Sequence, residues 1–326
     1  MGNGVADSSS GGVAETKRHS WLVGFLIRLV KEKPLGTVGL VITLLLLFTG
    51  IFADFIAPYG MNETFVGDFL EAPSARFWMG TDNVGRDILS RVIYGARISV
   101  IVGLAGSTLA TIISGVIGIV CGYIGGKFDL VVQRVVDTWM CLPALVISMV
   151  LITIMKPSLW SIIIVLAFVW GVPGSRVIRG AVIGVRENVY VAAAEAIGCP
   201  TTRILTRHIL PNVMATMIIL FSIRVPGIVL AEAALSFLGF GIPPPTPSWG
   251  GMLSSSGRTY MLLAPWIAVW PGLALAIVVY GINMFGDAVR DITDPRMRGG
   301  VGRYGVRVKK EAKVKSKPSA RSSEVS

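Results

Sequence analysis

Six long apolar stretches alternate with polar ones along the chain, and this alternation predicts helices that cross a bilayer. Leu35–Ala53 carries no charge and matches the roughly 20 residues needed to span the hydrocarbon. Ile98–Gly126 is a second charge-free run, with Ser114, Gly118, Gly122 and Gly126 recurring every fourth residue. Small side chains on one helical face let a neighbouring helix approach closely, and packing within the chain is their expected use. Thr138–Met155 predicts a third span with a kink at Pro143, and Leu159–Ser175 a fourth. A fifth runs from about Val213 to Leu235 and a sixth over Tyr260–Gly286.

The polar stretches are informative too. Residues 1–20 are rich in Gly and Ser, which predicts disorder, and they lack the apolar core and cleavage site of a signal peptide. Insertion is therefore expected to rest on the first span. Trp21–Val30 contains Arg28 and precedes Lys31, Lys33 and Pro34, the pattern of a helix lying at the membrane interface. Within Gly80–Ser99, Ile88, Leu89, Val92 and Ile93 share one helical face, while Arg86, Asp87, Ser90 and Arg97 fall largely elsewhere. That predicts an amphipathic lead-in to the second span. Lys127-Phe128-Asp129 reads as a short loop. The chain divides into an N-terminal segment (1–34), a transmembrane domain (35–298) and a basic tail (299–326).

Charge then gives the orientation. Six spans place both ends on one side, and Lys31, Lys33, Lys127, Arg134, Arg176, Arg179, Arg186, Arg203, Arg207 and the tail all fall there. The positive-inside rule makes that side the cytoplasm. Arg76, Arg86, Arg91 and Arg97 run against the pattern on the other side, accompanied by Glu63, Asp68, Glu71, Asp82 and Asp87. The composition, 53% hydrophobic and 15% charged over 326 residues, suits one all-α polytopic domain in the plasma (inner) membrane. Much of the net charge of +11 sits in the tail, which points to retention in the cytoplasm and contact with anionic lipid rather than to nucleic acid. Cys121, Cys141 and Cys199 are widely spaced and read as inert buried thiols.

One polar interruption, residues 187–212, is longer than a connection needs. It is rich in Ala, Glu, Leu and Arg, and Gly198 and Pro200 divide it into two short helical pieces. A pair of short helices on one side of a membrane offers a grip to another protein. The chain has no phosphate-cradling loop, no HExxH, no GxSxG and no metal-ligand cluster, so neither catalysis, a metal nor a bound cofactor is expected on it. Two charges lie within the fifth span, Arg224 and, about 12 Å outward, Glu232. Charge at this depth faces protein or a water-filled path. Two readings of Arg224 stand: it lines a translocation route and meets a substrate carboxylate, or it makes a structural ion pair with Glu232 or a partner subunit. Pro226-Gly227 beside it reads as a flexing point.

Ala192-Ala193-Ala194, Gly198 and Leu210-Pro211 resemble the cytoplasmic loop of ABC-importer permeases: Glu-Ala-Ala, three residues, Gly, a fixed gap and Leu-Pro. Gly80-Thr81-Asp82-Asn83-Val84-Gly85-Arg86-Asp87, Leu235-Ser236-Phe237-Leu238-Gly239 and Asp294-Pro295-Arg296 resemble the C-type subunit of the dipeptide/oligopeptide/nickel branch. The resemblance covers about Leu35 to Arg298 and implies a type I permease fold of six transmembrane helices. It also implies a second, different permease subunit, two ATPases that hold the ATP and Mg, and an extracytoplasmic binding protein. The coupling helix would be about Tyr190–Ile197. Where the family has Glu, this chain has Ala192, and Glu195, three residues on and on the same face, is the expected substitute. His208, two before Leu210, is expected to be a structural neighbour of the loop. Peptides are the cargo this branch implies first, with nickel or oligosaccharide as variants. An ion-coupled secondary transporter is the alternative class. It would need paired halves with broken helices and coupling acids, of which Glu232 is the clear instance.

Overall fold

In hydrocarbon no water satisfies backbone N–H and C=O groups, so every long apolar run has to bond internally as helix. The computed structural model describes residues 21–293. In chain order they form α1 (Trp21–Glu32), α2 (Pro34–Ile51), α3 (Ala53–Ile56), α4 (Ile88–Ile124), α5 (Gly126–Met140), α6 (Ala144–Met155) and α7 (Leu159–Arg186). Then follow α8 (Val189–Ala196), α9 (Thr201–Ile204), α10 (Leu210–Phe237), α11 (Trp249–Met252), α12 (Arg258–Tyr260) and α13 (Trp266–Thr293). Two π-helical turns, Leu205–Ile209 and Leu253–Gly257, lie beside α9 and α11. The expected disorder of residues 1–20, the Asp294-Pro295-Arg296 block and the basic tail lie outside the described residues.

Five helices, α2, α4, α7, α10 and α13, are long and apolar enough to cross a membrane, with α10 continuing back through residues 201–209. The sixth crossing is the bent pair α5 and α6, with its bend where the kink at Pro143 is expected, but it starts at Gly126 rather than Thr138. α5 and α6 meet at 92° through Cys141 and Leu142. The expected loop at Lys127-Phe128-Asp129 is instead the first turn of α5, which also carries Arg134 and Asp137. Pro143 precedes α6, which at 12 residues rises only about 18 Å and does not cross alone.

Other boundaries shift for local reasons. The lead-in and second span are one 37-residue helix from Ile88, started by Asp87, whose carboxylate accepts from Ser90 N–H at 2.8 Å. Its amphipathic pattern does not translate into a solvent face: Asp87 and Ser90, expected off the apolar face, are buried. The sixth span starts at Trp266 rather than Tyr260, because the chain turns through residues 261–264 to Pro265. Cys141, at the α5–α6 turn, is exposed, contrary to the expectation of a buried thiol.

Packing separates side chains by size more than by polarity, since lipid is as apolar as leucine. On α2, Leu35, Val38, Leu45 and Phe48 face outward and Gly36, Gly39 and Gly50 face inward. A Cβ on Gly39 would meet the backbone of Gly281 and Phe285 on α13. The small-residue stripe of α4 packs inside the chain, as expected: Cβ atoms on Gly118 and Gly122 would meet Ser175 O at 2.7 Å and Val182 Cβ at 2.8 Å on α7. Gly126 does not join the stripe but opens α5 with φ +60°.

The first and last described spans meet at one end, where Lys33 pairs with Asp291 at 2.5 Å. α1 packs there, with Leu29 buried against Ala288 and Ile292. α8 lies at this same end, because α7 runs down to it and α10 back up from it. At the opposite end two of the outward arginines, Arg97 and Arg86, are closely paired with acids. Arg97 bonds Asp54 through both terminal nitrogens, at 2.7 and 3.3 Å, and holds the Asp54 carboxyl below its usual pKa. Asp82 accepts from Arg86 Nε at 2.7 Å.

Candidate functional site

The elbow between α7 and α10 is built from backbone requirements outward. Asn188 closes α7, its Nδ2 donating to the carbonyls of Gly184 and Val185. α8 then lies across the helix ends. Val191 and Ala194 are buried in one apolar cluster with Ile178 and Val182 of α7, Ile204 of α9, Ile209 of the π-turn and Val213 of α10. The opposite face is open: Ala192, Ala193 and Glu195 are exposed, as are Val189 and Ile197, and Tyr190 is 43% exposed. Exposed β-branched residues beside a fully anchored face make α8 a rigid, apolar-tipped projection.

Gly198 ends α8 with φ +74°. Its N–H donates to Glu195 O at 2.9 Å and that of Cys199 to Ala194 O at 3.0 Å, which satisfies carbonyls left over by the helix end. Nothing lies within 4 Å of a Cβ built there, so the dihedral rather than space calls for glycine. The two short pieces exist as expected, but the second does not stop: α9 passes through the π-turn straight into α10, which starts at Leu210 rather than Val213. Pro211 explains the turn. Its missing N–H and its ring disrupt the ordinary i→i−4 ladder, and the Leu210 N–H reaches back to Leu205 O instead. Asn212 Nδ2 donates to His208 O at 2.6 Å. The His208 ring lies 6.3 Å from that of Tyr190, the structural neighbour it was expected to be.

Glu195 is exposed but not loose. Its Oε1 accepts from the Tyr123 hydroxyl at 2.9 Å, and Arg186 lies over the Tyr123 ring at 5.6 Å. The carboxylate thus ties α8 to the end of α4, a contact the sequence reading did not foresee. It also missed the pairing of Arg179 with Asp129, through Nε at 2.6 Å and Nη2 at 2.5 Å, which locks α7 to α5. A bidentate Arg–carboxylate bond is directional as well as strong. The cluster of lone bases flanking the elbow was the available signal, since each needs an acid nearby.

Arg224 and Glu232 are both buried, 4% and 1% exposed, but they are not paired with each other. Arg224 Nη2 donates to Ser114 Oγ at 2.9 Å and Nη1 to Thr111 Oγ1 at 3.4 Å, both on α4. The guanidinium sits over Gly174 of α7, where a Cβ would collide with it. Ser114 in turn donates to Gly171 O at 2.5 Å. Glu232 Oε1 accepts from Ser236 Oγ at 2.6 Å, one turn along α10. α10 runs unbroken through Pro226-Gly227, and Gly227 is pressed against the Trp170 ring. Among the described residues no group of three His, Cys, Asp or Glu is placed to hold a metal.

Residues 114–299 match the family model of the binding-protein-dependent transport system inner membrane component, and residues 24–73 match the N-terminal TM domain of oligopeptide transport permease C. The chain is 38% identical to the dipeptide transport system permease protein DppC of Alkalihalophilus pseudofirmus, over 82% of this chain and 88% of that one. It is 34% identical, with the same coverage, to the oligopeptide transport system permease protein OppC of Bacillus subtilis. Among solved structures, a chain of the MetNI methionine ABC transporter in an inward-facing conformation superposes with a TM-score of 0.52. That match has 15% identity and covers 64% of this chain and 98% of the other, a likeness of fold.

Proposed function

This chain belongs to the binding-protein-dependent transport system inner membrane component family, and on that premise we propose that it is one of two different permease subunits of an ATP-driven importer of short peptides. It is a multi-pass inner-membrane protein; α8 and both described ends lie on the cytoplasmic side, where Arg176, Arg179, Arg186, Arg203 and Arg207 concentrate. The second permease completes the pathway, two ATPases bind and hydrolyse ATP with Mg, and a binding protein delivers peptide to the opposite face. Dipeptides and oligopeptides are favoured as cargo because the relatives that match most of this chain are named for them. ATP hydrolysis belongs to the partners.

The observation that carries this reading is the anchoring of α8. Val191 and Ala194 share one buried cluster with α7 and α10, so a push on the exposed Val189, Tyr190 and Ile197 moves two spans instead of being absorbed by a loop. Closure of the ATPases would drive α8 in this way and alternate the access of the pathway. Ala192 and Ala193 leave room for a groove to close over the helix, and Glu195 fixes its angle through Tyr123. Gly198, Leu210 and Pro211 shape the return. Arg224 holds α10 to α4 and α7, and Glu232 with Ser236 secures the far end of α10.

The test is purification and reconstitution. An ATPase pair and a second permease are expected to come down with this chain in detergent, and the reconstituted complex to take up labelled dipeptide only with ATP and the binding protein. Uptake by the purified chain alone, or purification with no ATPase, would refute the proposal.

A further inference from the structure

At the end opposite α8 lies a cavity of about 430 Å³. Its walls come from the segment that starts α4 (Arg86, Arg91), from the end of α10 (Ser236) and from the loop before and within α11 (Thr246, Ser248), with Pro157 on one side. Among the described residues the charged ones lining it are the two arginines. A concave site of this size, apolar with a few converging polar groups, is the usual form of a small-ligand site.

The arginines are not equally satisfied. Asp82, the nearest acid, spends Oδ1 on the N–H groups of Val84 and Arg86 and Oδ2 on Arg86 Nε at 2.7 Å. Asp87 is spent on Ser90, accepting from both its N–H and its hydroxyl. Arg91, with its side chain only 10% exposed, is left with Asp82 Oδ2 at 3.8 Å and Met61 O at 3.5 Å. A buried guanidinium normally takes a planar, two-pronged acceptor at well under 3 Å. Among the described residues no such acceptor is found, and the cavity lies beside it.

We propose that this cavity receives the C-terminal carboxylate of a short peptide, bound by Arg91 with Arg86, before the peptide enters the pathway. The proposal deepens the importer reading and rests on it for the peptide; the carboxylate preference rests on the cavity alone. Ser236 fits the role of a fixed wall, because its hydroxyl hydrogen is already given to Glu232.

The test uses the detergent-purified complex without its binding protein, with alanyl-alanine and its C-terminal amide as probes, read by saturation-transfer NMR. Alanyl-alanine is expected to bind, and the amide to bind roughly tenfold more weakly or worse, the loss of a charged hydrogen bond. Arg91→Gln should weaken alanyl-alanine binding by a similar factor. Because Arg91 is buried, Thr246→Tyr, which fills the cavity from a partly exposed wall, gives a second route to the same loss in a complex that still elutes intact. Equal binding of acid and amide, or wild-type binding by both variants, would overturn the proposal. So would a wild-type complex that binds no free peptide while Arg91→Gln weakens docking of the binding protein, since the carboxylate would then be a protein side chain. Absence of ATP-driven peptide uptake by the wild-type complex would instead refute the importer reading, and the acid–amide comparison would still decide the site.

Discussion

Replacing Gly198 separates the role of a backbone angle from that of packing. The residue has φ +74° and open space around its Cβ direction, so a side chain adds no clash and the whole penalty comes from the left-handed conformation. That penalty is about 1–2 kcal/mol for an ordinary L-residue, greatest for a β-branched one and least for Asn. The expected order of coupling is therefore wild type, Gly198→Asn, Gly198→Ala, Gly198→Val. An elbow destabilised by about 1.4 kcal/mol relative to misdirected arrangements loses about tenfold in its competent-to-incompetent ratio. Because the neighbouring anchors Val191 and Ala194 are untouched, the subunit should still insert and accumulate. The assay is binding-protein-stimulated ATPase activity of the reconstituted complex, normalised to the amount of this chain in the membrane. Graded loss of stimulation at constant subunit level is the predicted result. Equal stimulation in Gly198→Val and wild type would refute the reasoning, as would a variant series ordered by side-chain volume.

Two further predictions concern the bundle. Gly118→Ala places a methyl against Ser175 O and the Arg179 N–H of α7, so thermal stability in detergent should fall by about 1–3 kcal/mol, whereas Gly180→Ala, with nothing within 4 Å, should change it by less than about 1 kcal/mol. Arg224→Met should lower the membrane level of the subunit and its stability by at least about 1.5–3 kcal/mol, with Ser114→Ala having a smaller effect; normal stability combined with lost peptide uptake would move Arg224 to the pathway instead.

Five of the spans are legible in the sequence because uninterrupted apolar runs of that length have few other uses. The sixth is not. The run Thr138–Met155 is long enough to cross as one helix, and its hydropathy does not show that its first residues continue α5 or that the chain bends by 92° before Ala144. The elbow was legible from composition and from Gly198, but the π-turn was not, since Pro211 announces a disturbed ladder without saying on which side of it the helix widens. Long-range pairs lay beyond reach. Asp129 with Arg179 and Tyr123 with Glu195 depend on the relative rotation of helices 50 and 72 residues apart, which hydropathy does not carry. The cost of Arg224 at this depth is legible, yet of its partners Ser114 reads as part of a small-residue packing stripe and Thr111 carries no signal at all.

The central claim, that α8 is the surface an ATPase grips, is tested most directly by a photo-crosslinking residue placed at Ile197 in one variant and at Leu262 in another. Ile197 is 83% exposed beside α8, and Leu262 is 94% exposed at the opposite end of the spans. Irradiation of the complex should join Ile197 to an ATPase subunit and leave Leu262 free of that product. An ATPase product at Leu262, or none at Ile197 in a complex that hydrolyses ATP and transports, would contradict the account.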